Sequence, residues 1–372
     1  MKKLLLIVAV FSITLSYSFA QQYTYTGQEL NAITTGVPFL TISPDARSGA
    51  MGDAGVASSP DANSIHWNPA KYAFIEQDIS LNLSYIPWLR NLVSDINFQN
   101  LSGSYRINEN QTIGASLMYF SLGSIDFTNE IGDIIVPGYK PNEFSISGAY
   151  ALKLSENFSG GLALRYVHSN LTGGIPAAGA GSATKPGNAF AGDVSFFYTR
   201  DISMENKTGM FNFGVNISNL GSKIKYSDDS YYDDFLPANM RLGASFKLDL
   251  DEYNSITAMF DINKLLVPTP ALYGPDTTET GELVEHGLPD DVSVPVGIFQ
   301  SFMPKDAPGG FNEKIHELMY SVGLEYWYVE KFAIRAGYFD EHATKGNRKY
   351  FTMGIGVKLN VLNFDFAYVV PT

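Results

Sequence analysis

The chain has 372 residues, no cysteine, and a formal charge of −13 from 25 basic and 38 acidic residues. That excess of acid repels phosphate backbones and excludes nucleic acid as a partner, while the absence of thiols excludes a disulfide framework and thiolate metal sites. Aromatic residues reach 13% against 17% charged, with 34 glycines, a balance that favours many strands joined by tight turns.

The first element is Met1-Lys2-Lys3, an apolar run from Leu4 to about Phe19, and small residues at Ser18 and Ala20, the anatomy of a cleaved secretory signal over residues 1–20. Removing Lys2 and Lys3 takes the formal charge from −13 to −15. No later run approaches the roughly 18 apolar residues of a spanning helix.

Residues 21–77 form the second unit, an N-terminal segment that reads as a plug for the lumen of a barrel. Ser43-Pro44, Ser59-Pro60 and Asn68-Pro69 each place a capping residue before proline, which predicts three short helical turns. Gly49, Gly52 and Gly55 lie between them and allow close backbone approach. Met51, Val56, Ile65, Trp67, Tyr72 and Phe74 need cover, which suits a compact segment in a confined space. The residues singled out here are Asp45, Arg47, Gly52, Asp53, Asp61, Asn68 and Pro69. A small helical subdomain on a β-sandwich is the alternative.

From Asp78 onward the signal is alternation, which places successive side chains on opposite faces of a strand. Ile79, Leu81, Leu83 and Tyr85 share one face, as do Phe144, Ile146, Tyr150 and Leu152, and Phe211, Phe213, Val215 and Ile217. Further strands are expected near 96–107, 111–122, 158–169, 188–200, 238–249, 254–264, 316–328, 331–340, 349–360 and 361–371, about thirteen in all. Short turns near 108–110, 155–157, 249–253 and 329–330 interleave with long stretches near 122–142, 170–187, 219–237, 265–315 and 341–348. Periplasmic turns and extracellular loops of an outer-membrane barrel produce that rhythm. The expected fold is therefore all-β, a transmembrane antiparallel β-barrel over residues 78–372 with a short helical N-terminal plug. Trp88, Tyr119, Tyr198, Trp327 and Tyr350 are placed at the membrane interfaces.

The less apolar faces carry Arg165, Asp193, Arg241, Asp261, Glu325, Arg335, Lys358 and Asp365, with Arg165 near Asp193, Arg241 near Asp261, and Glu325 near Arg335. They read as compensated charges that hold strands and plug together, or as the lining of a selective pore; the first reading is preferred.

Chemical motifs are sparse, and no catalytic, cofactor-binding or metal-binding residues are assigned. Gly354-Ile-Gly356 lacks the third glycine of a dinucleotide fingerprint, and His168 and Ser169 are strand neighbours that point to opposite faces. His66 reads as a hydrogen-bonded packing residue. Asp228 to Asp234 holds four carboxylates around two tyrosines and is a solvated acidic loop or a Ca²⁺ site. The Pro-rich segment 268–311 is a candidate partner loop, centred on Pro308, Gly309, Gly310 and Phe311, and its apolar patch Val294 to Phe299 either meets a partner or packs over the barrel mouth.

Gly52-Asp-Ala-Gly-Val-Ala57, Asp61-Ala-Asn-Ser64 and Asn68-Pro-Ala70 resemble the plug signature of the FadL family of outer-membrane transporters. GVPFLTISPDARSGAMGD, NSIHWNPAKYAF, DAPGGFNEKIHELMYSVGLEYWY and FAIRAGYF resemble the PorV family of the type IX secretion system of Bacteroidetes. The second resemblance is spread over most of the chain. It implies a FadL-type barrel of fourteen strands, no enzymatic activity, and secreted cargo proteins received through their carboxy-terminal domains. The partners it implies are an SprA/Sov-type translocon, a PorU-type sortase, and outer-membrane lipid and lipopolysaccharide. A FadL-like transporter of hydrophobic small molecules is the competing function. With thirteen crossings counted, the barrel is expected to lack its final strand, leaving the strand near Asp78 to Trp88 without a neighbour on one side.

Overall fold

The computed structural model describes residues 31–90, 93–129, 131–174, 184–204, 207–227, 233–273 and 284–372. The signal segment 1–20 therefore lies outside the described residues.

Thirteen antiparallel strands form one sheet in chain order: β1 (Ile79–Pro87), β2 (Ile96–Asn108), β3 (Gln111–Leu122), β6 (Asn142–Ser155), β7 (Phe158–Asn170), β8 (Gly187–Met204), β9 (Lys207–Gly221), β10 (Asn239–Asp249), β11 (Asn254–Leu265), β14 (Leu318–Tyr328), β15 (Phe332–Asp340), β16 (Lys349–Leu359) and β17 (Leu362–Pro371). Among the described residues β1 and β17 each carry a ladder on one side, to β2 and β16. The long and short connections alternate as the sequence predicts. Two hairpins escape the alternation signal because they stand apart from the main sheet: β4 (Ile125–Thr128) with β5 (Ile134–Tyr139), and β12 (Leu272–Tyr273) with β13 (Val284–His286).

Each strand has an apolar outer face and a small or polar inner one. Leu81 and Leu83 are both 79% exposed, and Leu164, Phe190 and Ile334 also stand outward, whereas Ser102, Ser147, Ser195, Ser245 and Ser321 are buried. Such an outer surface suits hydrocarbon. No helix among the described residues is long and apolar enough to cross a membrane.

The inner face closes on residues 43–75. Asn63 of that segment accepts from Asn82 of β1 and from Asn100 and Ser102 of β2. Farther along the sheet Ala70 touches β7 at Gly161, Val56 touches β9 at Gly214, and Met51 touches β15 at Gly337. Its first helix lies against β16 and β17. One compact segment meets both ends and the middle of the sheet, so the sheet curls around it into a barrel.

At Gly337 a Cβ would sit 2.1 Å from the Met51 carbonyl carbon, so only glycine lets the segment lie this close. Gly337→Val is expected to cost about 1–3 kcal/mol by overpacking, read as a lower temperature for the heat-modifiable shift in gel migration. Ile334→Val, on the outer face of the same strand, should barely move it. Equal shifts for the two variants would contradict this packing.

Three expected interface aromatics face inward instead. Trp88 packs against an internal cluster around Phe39 and Phe98, Trp327 lies under the Arg335 guanidinium at 5.5 Å, and the Tyr350 hydroxyl donates to Asp53 at 2.6 Å. Strand-end position alone does not fix the face; parity does, and the register places Trp327 opposite Ala333 on the inner side.

Candidate functional site

The segment inside the barrel is built on caps and charges. Helix α1 (Ala46–Gly49) is capped by Asp45, whose Oδ1 accepts the Ser48 N–H at 2.8 Å while Oδ2 accepts the Trp67 indole N–H at 2.7 Å. The expected cap Ser43 is displaced by two positions, because the carboxylate after Pro44 is the stronger acceptor. Ser59 is no cap either. Its hydroxyl accepts from Arg47 at 2.7 Å, and α2 (Ser64–Trp67) begins later, behind an Asp61 carboxylate that holds the Asn63 N–H at 2.9 Å. Asn68 and Pro69 behave as expected: Asn68 Oδ1 accepts the Ala70 N–H at 3.0 Å, Pro69 opens the 3-10 turn 69–74, and Asn68 Nδ2 donates to the carbonyls of Val56 and Phe196.

Arg47 reaches across the lumen to the wall. Its guanidinium donates to both Glu325 oxygens at 3.1 and 2.9 Å and to Asp61 at 3.1 Å; Glu325 also accepts from Arg335 at 2.7 Å, and Arg335 from its other side reaches Asp365 at 2.6 Å. The chain of five charges locks α1 to β14, β15 and β17. Gly52, at φ 67°, donates its N–H to Thr352, and Asp53, at φ 61°, accepts from Tyr350. Of the expected wall pairs, Arg165 and Asp193 meet at 3.1 Å and Glu325 meets Arg335. Arg241 and Asp261 do not pair: Asp261 Oδ2 turns to the N–H groups of Gly55 and Val56 at 2.7 and 2.9 Å. Lys358 is exposed. His66 is buried edge-on against Trp67, but its Nε2 has no hydrogen-bond partner among the described residues, so the expected hydrogen-bonded role is not found there.

The long connection between β11 and β14 is folded rather than a bare loop. It carries α3 (Val294–Gln300) and α4 (Gly310–His316), each too short for a helical period to show in a segment full of proline and glycine. A buried polar knot pins its base. Asp306 accepts from Thr269 N–H at 2.9 Å, Gln300 at 2.8 Å and Lys314 at 2.6 Å, while Glu317 accepts from Lys264 at 2.6 Å and Lys314 at 3.1 Å. Sequence reasoning missed this knot, though Lys314 and Glu317 at i, i+3 were a helical signal for it. Around it, Lys345 donates to Glu313 at 2.5 Å and Arg348 grips Glu341 at 2.8 and 3.0 Å. Partial burial opposes ionisation of Glu313, yet the Lys345 ammonium and the Gly309 N–H hold its carboxyl below the usual range.

On this pinned base the cap turns apolar side chains outward. Phe299 is 71% and Phe311 65% exposed, joined by Val296, Phe302, Met303 and Ile315. Gly297, on the opposite face of α3, lies against the Phe235 ring, so the patch Val294 to Phe299 packs on one side and is bare on the other. Beneath α3 a groove of about 540 Å³ runs between Ile298, Phe302 and the outward Ile217 and Met240 of the wall. Pro308 and Gly309 form the turn that leads into α4, and Gly310, at φ 65°, and the exposed Phe311 open its first helical turn.

Other candidates are not brought together. His168 meets Asn188 outside while the Ser169 hydroxyl donates inward to Glu143 at 2.7 Å. Of the acidic loop, residues 228–232 lie outside the described residues, Asp233 pairs with Lys225, and Asp234 bridges to Ile224. No group of metal-binding side chains occurs among the described residues.

A family model described as type IX secretion system protein PorV matches residues 25–272. Among solved structures the chain is similar to the toluene transporter TodX of Pseudomonas putida, at 11% identity and TM-score 0.44 over 90% of this chain and 91% of that one. It is also similar to the monoaromatic hydrocarbon channel CymD, at 13% identity and TM-score 0.42 over 88% and 92%, and to a FadL homologue of Pseudomonas aeruginosa, at 13% identity and TM-score 0.39 over 91% and 90%. No curated protein matches the chain.

Proposed function

The chain belongs to the PorV family of type IX secretion system proteins, whose model matches more than half of it, and from that premise we propose that it is a plugged carrier of exported proteins. It is an outer-membrane β-barrel component of that secretion system. In the proposed role residues 21–77 supply the plug, the cap on β11–β14 receives the carboxy-terminal domain of a cargo protein, and the carrier passes cargo from an SprA/Sov-type translocon to a PorU-type sortase. Outer-membrane lipid and lipopolysaccharide surround the wall. No catalytic step is needed: binding and release suffice.

The observation that carries this reading is the pairing of a packed interior with a bare apolar row on a rigid base. Exposed aromatic and aliphatic side chains on a pinned turn cost little to order and fit a protein partner. A transporter of hydrophobic small molecules, the competing reading, needs an apolar path through the wall or lumen, whereas this lumen is crossed by Arg47, Glu325, Arg335 and Asp365. The exposed glycine turn before Phe311 belongs to the same surface.

Pull-down with a cargo carboxy-terminal domain tests it. The double variant Phe299→Asp/Phe311→Asp should lose capture by about tenfold or more, since each is a candidate anchor worth upwards of 1 kcal/mol, while heat-modifiable migration stays unchanged. Full capture by a folded double variant would remove the cap from the mechanism.

A further inference from the structure

A second cavity, of about 370 Å³, lies inside the mouth between the inner segment, the ends of β10 and β11, and the 341–348 connection. Among the described residues six charged side chains line it: Asp53, Arg241, Glu317, Glu341, Lys345 and Arg348. Four are satisfied by ion pairs already described, Glu317 with Lys264 and Lys314, Lys345 with Glu313, and Arg348 with Glu341. The remaining two are of opposite sign and are not joined to each other. Arg241 is 6% exposed, lies with its Cζ 4.8 Å from the Trp67 ring, and donates a single long bond, 3.4 Å, to the His66 carbonyl. Among the described residues no carboxylate comes within ion-pair distance of it. Asp53 accepts from the Tyr350 hydroxyl, and among the described residues no cation comes within ion-pair distance of it, Arg241 and Arg348 acting on it only from farther off.

Two more unanswered groups line the same cavity. Asn263 faces Arg241 directly across the β10–β11 ladder and Asn239 is two residues before it; both line the cavity, and both have a buried Oδ1 with no hydrogen-bond partner among the described residues. A buried guanidinium and buried amide oxygens left without partners each cost free energy, and a polar cavity that keeps them is a site for a ligand that answers them. The wall calls for a carboxylate at Arg241 and for N–H donors at the amide oxygens, and Asp53 calls for a positive charge.

We propose that this cavity binds a small zwitterion of the amino-acid class, its carboxylate on Arg241 and its ammonium toward Asp53 and the Asn239 and Asn263 oxygens. The volume admits a small amino acid with room for its side chain and excludes a folded chain. The four ion pairs of Glu317, Lys345 and Arg348 keep the other lining charges compensated, so a net anion or a net cation finds one partner where the zwitterion finds both. This proposal is separate from the cap, whose apolar row lies on the outer surface.

Isothermal titration of the full-length protein in detergent with glycine, acetate and methylammonium decides it. Glycine is expected to bind roughly tenfold or more tightly than either single-charge probe, the worth of one charge-assisted hydrogen bond. Arg241→Gln should remove the preference over methylammonium, and Asp53→Asn the preference over acetate, each variant being checked by heat-modifiable migration. Should either variant fail to fold, the selectivity of the unaltered protein among the three probes remains the deciding result. Equal binding of acetate and glycine, no heat of glycine binding, or unchanged selectivity in folded Arg241→Gln would overturn the proposal.

Discussion

Glu325→Ala is expected to destabilise the barrel by about 3–5 kcal/mol, the cost of removing one member of a buried ion network and leaving its partners uncompensated. Glu325 is 2% exposed and is the carboxylate shared by Arg47 from the inner segment and Arg335 from β15. Asp61 and Asp365 hold the outer ends of the chain of charges and cannot follow Glu325 to the centre. Urea unfolding in detergent, followed by tryptophan fluorescence, reads the loss. Since Arg47 and Glu325 act through one contact, Arg47→Ala/Glu325→Ala should cost less than the sum of the single changes. A loss below about 1 kcal/mol would mean that the pair behaves like an exposed one and that water reaches it.

The second large effect concerns permeability. Deleting residues 36–77 removes the side chains that fill the lumen, among them Met51, Trp67, Tyr72 and Ile65, all essentially without solvent exposure. The deleted protein is expected to conduct ions in planar bilayers, and the intact one to pass few. Arg47→Ala, which keeps the segment but cuts its tie to Glu325, should give brief openings instead of a steady current. This milder variant answers the question even where the deletion prevents folding. Large and stable conductance from the intact protein would contradict the plug.

The strands were legible because one face must meet hydrocarbon and the other must meet the inner segment, which forces period-two alternation onto residues such as Ile79, Leu81 and Leu83. Connection lengths were legible for a related reason: tight turns such as the one at Val329 and Glu330 leave no room for surplus residues. Capping was read correctly only at Asn68-Pro69. At Ser43 and Ser59 the local motif was outweighed by tertiary demand, since Asp45 had to satisfy Trp67 and Ser59 had to satisfy Arg47. Inward aromatics were misplaced because Trp327 and Tyr350 have amphipathic rings that serve an interface or a polar lumen equally well.

The mouth was the least legible part. Lys264, Asp306, Lys314 and Glu317 meet only once the 266–317 connection has folded back on β11, and the i, i+3 step from Lys314 to Glu317 is the one local signal among them. Arg241 was paired with Asp261 on strand counting, which is accurate to the neighbouring rung: the register sets Asp261 opposite Gly243. That offset leaves Asp261 to the Gly55 and Val56 N–H groups and Arg241 to the cavity.

Site-specific photo-crosslinking tests the carrier claim most directly. A photoreactive residue placed at Phe299 or at Phe311 in secreting cells should join this chain to exported cargo, while the same residue at Leu83, on the outer face of β1, should join it to none. Cargo crosslinks at Leu83 alone, with Phe299 and Phe311 silent in a folded and secreting protein, would contradict the account.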